Sequence, residues 1–267
     1  MTINPQRITA RTMALAASLI AIAIVISPLQ RAGAQFRATI GAKAWYTTWS
    51  LPLVTPGVES SNLTPALLAG PYLSLRYGKV AATVVYSTAV VTYTGSEHSD
   101  GMFFDYAFDG NVHLDRQDVN VFLNYSVTAE ISLFANVKLL QYSLREARTT
   151  IYGNRIFYDQ KFSGTGFGLG AQFTTAFGSG SPLYSFMSTG VFTNTIKAGE
   201  VTATFNGIPV AVDQGSDSNT ELLYFLDAGL GMRIPETKLG VTFGLRVENG
   251  VDTKTAIGPT ANVFYTF

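Results

Sequence analysis

The stretch GPTANVFYTF, residues 258–267, alternates in polarity. Successive side chains of a strand point to opposite sides of its sheet. Ala261, Val263, Tyr265 and Phe267 therefore share one face, and Thr260, Asn262, Phe264 and Thr266 share the other. An apolar face set against a mostly polar one, with aromatic rings at one end, suits lipid on one side and water on the other. This is the pattern of the closing strand of a transmembrane β-barrel.

Tyr265 and Phe267 also resemble the terminal signal of Gram-negative outer-membrane β-barrel proteins, in which a last-position Phe with a Tyr two residues earlier is read by the barrel-assembly machinery. The resemblance is to the superfamily and not to a characterised member. It implies a barrel in the cell outer membrane, with membrane lipid, lipopolysaccharide and the assembly machinery as partners.

The opposite end of the sequence fits the same compartment. Arg7 and Arg11 precede an apolar run of 14 residues, 13–26, interrupted only by Ser18. Such a run is short for a membrane span, which takes ~20 residues, and suits the core of a secretory signal peptide. Ser27-Pro28 ends it, and Ala32-Gly33-Ala34 supplies a small-x-small cleavage site. Cleavage after Ala34 is expected, dividing the chain into a signal peptide, 1–34, and an outer-membrane barrel domain, 35–267.

Removing Arg7, Arg11 and Arg31 from the 18 basic residues leaves 15 against 18 acidic ones, a formal charge of −3. That balance argues against nucleic acid as a partner. Charged residues are 13% of the chain, well below the roughly 25% usual for soluble proteins. Past the leader no apolar run is long enough for a membrane helix. Low charge without long apolar runs is what a barrel requires, since only every second residue faces lipid. There is no cysteine, so neither disulfides nor thiolate metal sites are available.

Period-two segments bounded by turn residues fall at 37–49, 68–77, 80–93, 116–127, 130–145, 160–177, 183–196, 220–233, 238–248 and 258–267. Four connections are short: 78–79, 128–129, 178–182 and 234–237. They alternate with five longer ones at 50–67, 94–115, 146–159, 197–219 and 249–257. Short periplasmic turns and long outer loops are the asymmetry of outer-membrane barrels, and an even strand count leaves both termini in the periplasm. The fold class is thus all-β, a single antiparallel up-and-down barrel of about ten strands. Asn206-Gly207 and Gly153-Asn154 each mark a hairpin tip projecting beyond the membrane. Counting the Asn206-Gly207 hairpin as two spans gives twelve strands, but its arms of about five residues are short of the ~9–11 a span needs.

Parity assigns lipid-facing sets: Leu73, Leu75 and Tyr77; Val119, Val121, Leu123 and Tyr125; Phe167, Leu169, Ala171 and Phe173; Tyr224, Leu226, Ala228, Leu230 and Met232; Val241, Phe243, Leu245 and Val247. Tyr77, Tyr125, Phe177, Tyr184, Tyr265 and Phe267 fall near the turn ends, where an aromatic girdle is expected at the headgroup level. The opposite parity sends Lys43, Arg76, Asp118, Lys138, Asp227, Arg233, Arg246 and Glu248 into the lumen, with both signs present for pairing. Gly164, Gly166, Gly168 and Gly170 form one inward row, which leaves room for bulky neighbours such as Trp45, Phe134 or Phe264.

Catalytic chemistry has little to build on. His98 and His113 are the only histidines and fall within 94–115, beside Glu97, Asp100, Asp105, Asp109 and Asp115. Omptin-type surface proteases share the ten-strand count, but their site draws His-Asp and acidic pairs from strands facing each other across the barrel mouth. His98-Ser99-Asp100 and His113-Leu114-Asp115 lie in one connection instead. Solvated histidines and an acidic loop are expected, with no catalytic, metal or cofactor site. The glycines of 164–170 lie within a strand with no helix after them, so they are not a phosphate loop. A non-enzymatic barrel, structural or with a narrow pore for ions or small solutes, is the expected function. The alternatives are a surface-recognition barrel binding an extracellular ligand through its loops, and a hydrolase acting on peptide or lipid.

Overall fold

The computed structural model describes residues 36–48, 63–99, 108–150, 152–211, 218–250 and 255–267. The proposed leader, with Ala32 and Ala34, and the acidic Asp100 and Asp105 lie outside the described residues.

The alternating segments form the strands β1 (Phe36–Thr47), β2 (Ala66–Tyr77), β3 (Val80–Val91), β4 (Tyr93–Ser99), β5 (Phe108–Ser126), β6 (Ile131–Thr150), β7 (Arg155–Ala176), β8 (Leu183–Phe205), β9 (Ile208–Val210), β10 (Ser218–Arg233), β11 (Leu239–Gly250) and β12 (Ala256–Thr266). Ten of them make the barrel wall. Each pairs antiparallel with its neighbours, and the ring closes through β12 on β1 and β8 on β10. The last residue continues that seam: the Phe267 amide donates to the Ala38 carbonyl at 2.8 Å. β4 carries β3's line onward against β5, and β9 is the short return arm of the β8 hairpin. Closure satisfies every wall strand on both sides, as a sheet in hydrocarbon requires.

Turns at one end are tight, and the connections at the other are hairpins or longer segments. At the turn end, Gly78 has φ +56°, a left-handed conformation open to glycine without a Cβ penalty. At the loop end Asn206 and Gly207 have φ of +50° and +82°, the two positive values of a type I′ hairpin.

The four central strands are much longer than the sequence pattern indicates. β5, β6, β7 and β8 run 19, 20, 22 and 23 residues. Of the connections expected at 94–115, 146–159 and 197–219, residues 94–99, 108–115, 146–150, 155–159 and 197–205 are strand. The hairpins expected at Gly153-Asn154 and Asn206-Gly207 continue the wall strands themselves. A 23-residue strand rising ~3.3 Å per residue at ~45° climbs about 54 Å, roughly twice the ~25 Å apolar band of such barrels.

The polarity of the wall reverses along these strands, and this explains the length. Near the turn end β6 turns Leu133, Val137 and Leu139 outward and exposed, and Phe134, Asn136 and Lys138 inward and buried. Further along, Gln141 and Arg145 face out while Leu140, Tyr142 and Leu144 face in and are buried. β7 repeats the change, from outward Phe167 and Leu169 to outward Ser163 and Lys161 opposite inward Phe162. The lower cylinder is apolar outside, as lipid requires; the upper one has a water-facing exterior around a buried apolar interior. That core gathers Tyr93, Val112, Leu114, Leu140, Tyr142, Leu144, Phe162, Ile196 and Leu223. Tyr142 and Phe162 stack within it at 4.4 Å and 11°.

The turn-end rings Tyr77, Tyr125 and Phe177 are exposed on the outer wall, and Tyr265 meets Phe267 edge-on at 4.9 Å. Tyr184 departs from the expected girdle. It faces the lumen, where it lies over Gly231, and a Cβ there would overlap its ring. The inward glycines of β7 do make room for bulky groups, but mostly for different ones. Gly170 accommodates Phe134, whereas Gly168 lies against Phe192 and Gly166 against Asn194. Phe264 sits over Gly240 instead.

Candidate functional site

The lumen has three levels. The first, at the loop end, is the apolar core just described. Below it lies a layer of charge built from inward positions on β1, β5, β6, β10 and β11. The Arg116 guanidinium donates through Nη2 and Nε to the Asp118 carboxylate at 2.7 and 3.1 Å. Lys138 Nζ lies 3.7 Å from the same carboxylate. A second chain runs from Lys43, whose Nζ donates to Asp227 at 3.1 Å. Asp227 also accepts from the Thr260 hydroxyl at 3.3 Å and lies 3.9 Å from Arg246. Arg246 in turn donates to Glu248 at 2.5 and 3.0 Å.

Arg116 and Glu248 are each 1% exposed and Lys138 4%, so these charges are out of water. Such ions are tolerated only with close partners and their remaining donors satisfied. Aromatic faces supply part of that. Arg246 lies 5.0 Å over Trp45 and 4.9 Å over Phe225, and Lys138 lies 5.1 Å over Phe192. The register places Lys138, Gly166, Asn194 and Glu221 in one inward row across β6, β7, β8 and β10. Asn194 and Glu221 are both buried there.

The third level is a space open toward the turn end. Phe122, Phe134, Phe186, Phe225 and Phe264 with Tyr72 and Tyr184 line a cavity of about 280 Å3 whose inner limit includes Lys43, Asp227 and Arg246. A second space of about 280 Å3, sharing Thr83, Asn124, Gln172 and Phe264 with the first, continues to the mouth between Arg37, Arg76 and Arg233. The lumen is thus a vestibule closed by ions and then by an apolar core.

Of the eight residues assigned to the lumen from sequence, Lys43, Asp118, Lys138, Asp227, Arg246 and Glu248 take part in the charged layer, and Arg76 and Arg233 line the mouth. Arg37, Arg116, Asn194 and Glu221 belong to the same inward rows but escape sequence reading. Arg37 and Arg116 opened their segments, where parity has fewest neighbours to fix it. Parity with Asp118 would have placed Arg116, and parity with Lys43 would have placed Arg37.

The histidines are in strands, not a loop. His113 lies on β5 on the outward parity, across from Arg145 and Thr94. His98 lies on β4 across from Asp109. Asp115 pairs with Arg145 on the outer wall.

No protein-family model and no curated protein sequence matches the chain. Among solved structures, it is similar to the translocator domain of the autotransporter NalP from Neisseria meningitidis, with a TM-score of 0.55, 11% identity, and 96% of this chain and 98% of that one covered. The outer membrane protease OmpT from Escherichia coli aligns with a TM-score of 0.45, 9% identity, and 87% of this chain and 97% of that one covered. At these identities the likeness concerns the fold, and it rests on the first. The chain has the outer-membrane β-barrel fold: one closed, antiparallel, ten-stranded barrel.

Proposed function

We propose that this is a non-enzymatic barrel of the outer membrane, closed to bulk solutes, that anchors a β-structured extension on the cell surface. The turn end and both termini face the periplasm, and lipopolysaccharide and phospholipid surround the apolar band. Tyr265 and Phe267 serve as the signal read by the assembly machinery. The observation that carries the reading is the polarity reversal along β5 to β8. A general pore has no use for a protein-like apolar core filling the loop-end part of its lumen, whereas a folded extension requires one. His113 on the outer wall, opposite Arg145, favours a non-catalytic role. The refolded chain in planar bilayers is expected to give small conductance or none; large, stable, weakly selective steps would reject the proposal.

A second reading is surface recognition through the projecting hairpins. The observation favouring it is the apolar character of their tips: Tyr152 and Ile208 are 69% and 68% exposed. The tips are tied to each other, Asn206 donating to Asn154 at 2.9 Å and accepting from the Arg155 amide at 2.8 Å. Deleting residues 201–212 is expected to abolish binding to cells or phage while the barrel keeps its heat-modifiable mobility on gels. Unchanged binding would eliminate this reading.

A further inference from the structure

The mouth at the turn end gathers three arginines. Arg37 and Arg76 are directly opposed across β1 and β2 on the inward face, and Arg233 lines the same space. Like charges directly opposite in a sheet destabilise it. Among the described residues no carboxylate lies within ion-pair distance of any of the three, and no acidic residue is among the side chains that line the space. The acidic residues at this end, Glu130 and Glu236, belong to the turns; Glu130 accepts a hydrogen bond from the Thr128 hydroxyl. Arg76 donates to Ser126 at 2.6 Å, which steadies one guanidinium and leaves its charge unmatched. Apart from Ala81 and Phe264, the rest of the lining is hydroxyl and amide, including Ser74, Asn124 and Gln172.

Deeper in, aromatic rings join the hydroxyl and amide groups of the lining, which reaches the Lys43, Asp227 and Arg246 ions. The space therefore has a basic, polar entrance and an interior of aromatic rings interspersed with hydroxyl and amide groups, ending at buried ions. Guanidinium forks match phosphate and carboxylate oxygens in geometry as well as charge. The volume is close to the lower limit of small-molecule sites, ~300 Å3.

We propose that this vestibule binds a small organic anion, its acidic head held by Arg37, Arg76 and Arg233 and its aromatic or acyl body lodged among Tyr72, Tyr184 and Phe264. The ligand enters from the turn end and does not pass the charged layer. The proposal goes beyond the reading of the barrel as a closed anchor and does not depend on its conductance, because the arginines and rings that would hold the ligand lie on the turn-end side of the charged layer.

The test is calorimetric titration of the full chain, refolded into neutral phosphatidylcholine nanodiscs, with phenyl phosphate, inorganic phosphate and benzyl alcohol. Phenyl phosphate is expected to bind at least about tenfold more tightly than either of the others, since only it has both head and body, and to weaken as salt rises. Arg37→Gln, Arg76→Gln and Arg233→Gln together should abolish this binding, the three Lys replacements should retain part of it, and Lys161→Gln on the outer wall should leave it unchanged. These arginines are exposed at the mouth, and heat-modifiable mobility reports that each variant has folded. Equal binding of benzyl alcohol, equal binding of inorganic phosphate, unaltered binding in the triple Gln variant, or no binding of phenyl phosphate would each overturn the proposal.

Discussion

Asp118 shows how much rests on single charges in the lumen. It is the common partner of Arg116 and Lys138, and all three side chains are almost wholly buried. Removing one member of a buried ion set strands the others, at a cost of about 3–5 kcal/mol, while replacing the whole set with apolar groups is often near neutral. Asp118→Asn is therefore expected to lower the unfolding free energy of the refolded barrel by about 3 kcal/mol. The triple variant Arg116→Met, Asp118→Leu, Lys138→Met should recover most of that loss. Urea titration monitored by tryptophan fluorescence in lipid vesicles checks both. A single variant as stable as the parent would show that water reaches these charges.

At the scale of elements, β7 carries the change of surroundings within one strand. Leu169 and Thr165 both face outward and differ by four positions. Near the centre of an apolar band an added arginine costs about 2–4 kcal/mol, falling to about 0–1 toward its edge. Leu169→Arg is expected to show the larger penalty and Thr165→Arg the smaller, by urea titration of folding into vesicles. Equal penalties would displace the edge of the band from this strand. The same change of surroundings limited what could be read from sequence. Within the band, outward apolar residues such as Phe167 and Leu169 announce the strand. Beyond it, His113, Asp115, Ala147 and Thr149 face out with no apolar stripe and read as loop, although inward Val112 and Leu114 keep the period of two. Tyr184 was lost for a related reason. β8 has mixed faces, Met187 and Val191 outward against Phe186 and Phe192 inward, and only pairing with β7 and β10 fixes which is which.

For the whole molecule, the ten wall strands and their order were legible because closure leaves an alternating pattern on every strand, with tight turns at one end. The outward sets read from parity, such as Tyr224 through Met232, occupy the outer wall. What parity could not convey was occupancy of the interior. Whether inward Lys138 and Glu248 line open water or a filled layer depends on side chains from strands distant in sequence. One arrangement underlies the fold: a cylinder apolar outside along its lower half and water-facing outside along its upper half. The chain has no native cysteine, so nitroxide labels can be placed singly at positions 161 to 173 of β7. Their collision rates with oxygen and with a water-soluble nickel chelate, measured in vesicles, report lipid and water directly. Outward positions 167, 169, 171 and 173 should favour oxygen, outward 161, 163 and 165 should favour the chelate, and the inward positions between them should be less accessible to both. Chelate access at all the outward positions, or no alternation along the strand, would contradict the membrane-spanning barrel.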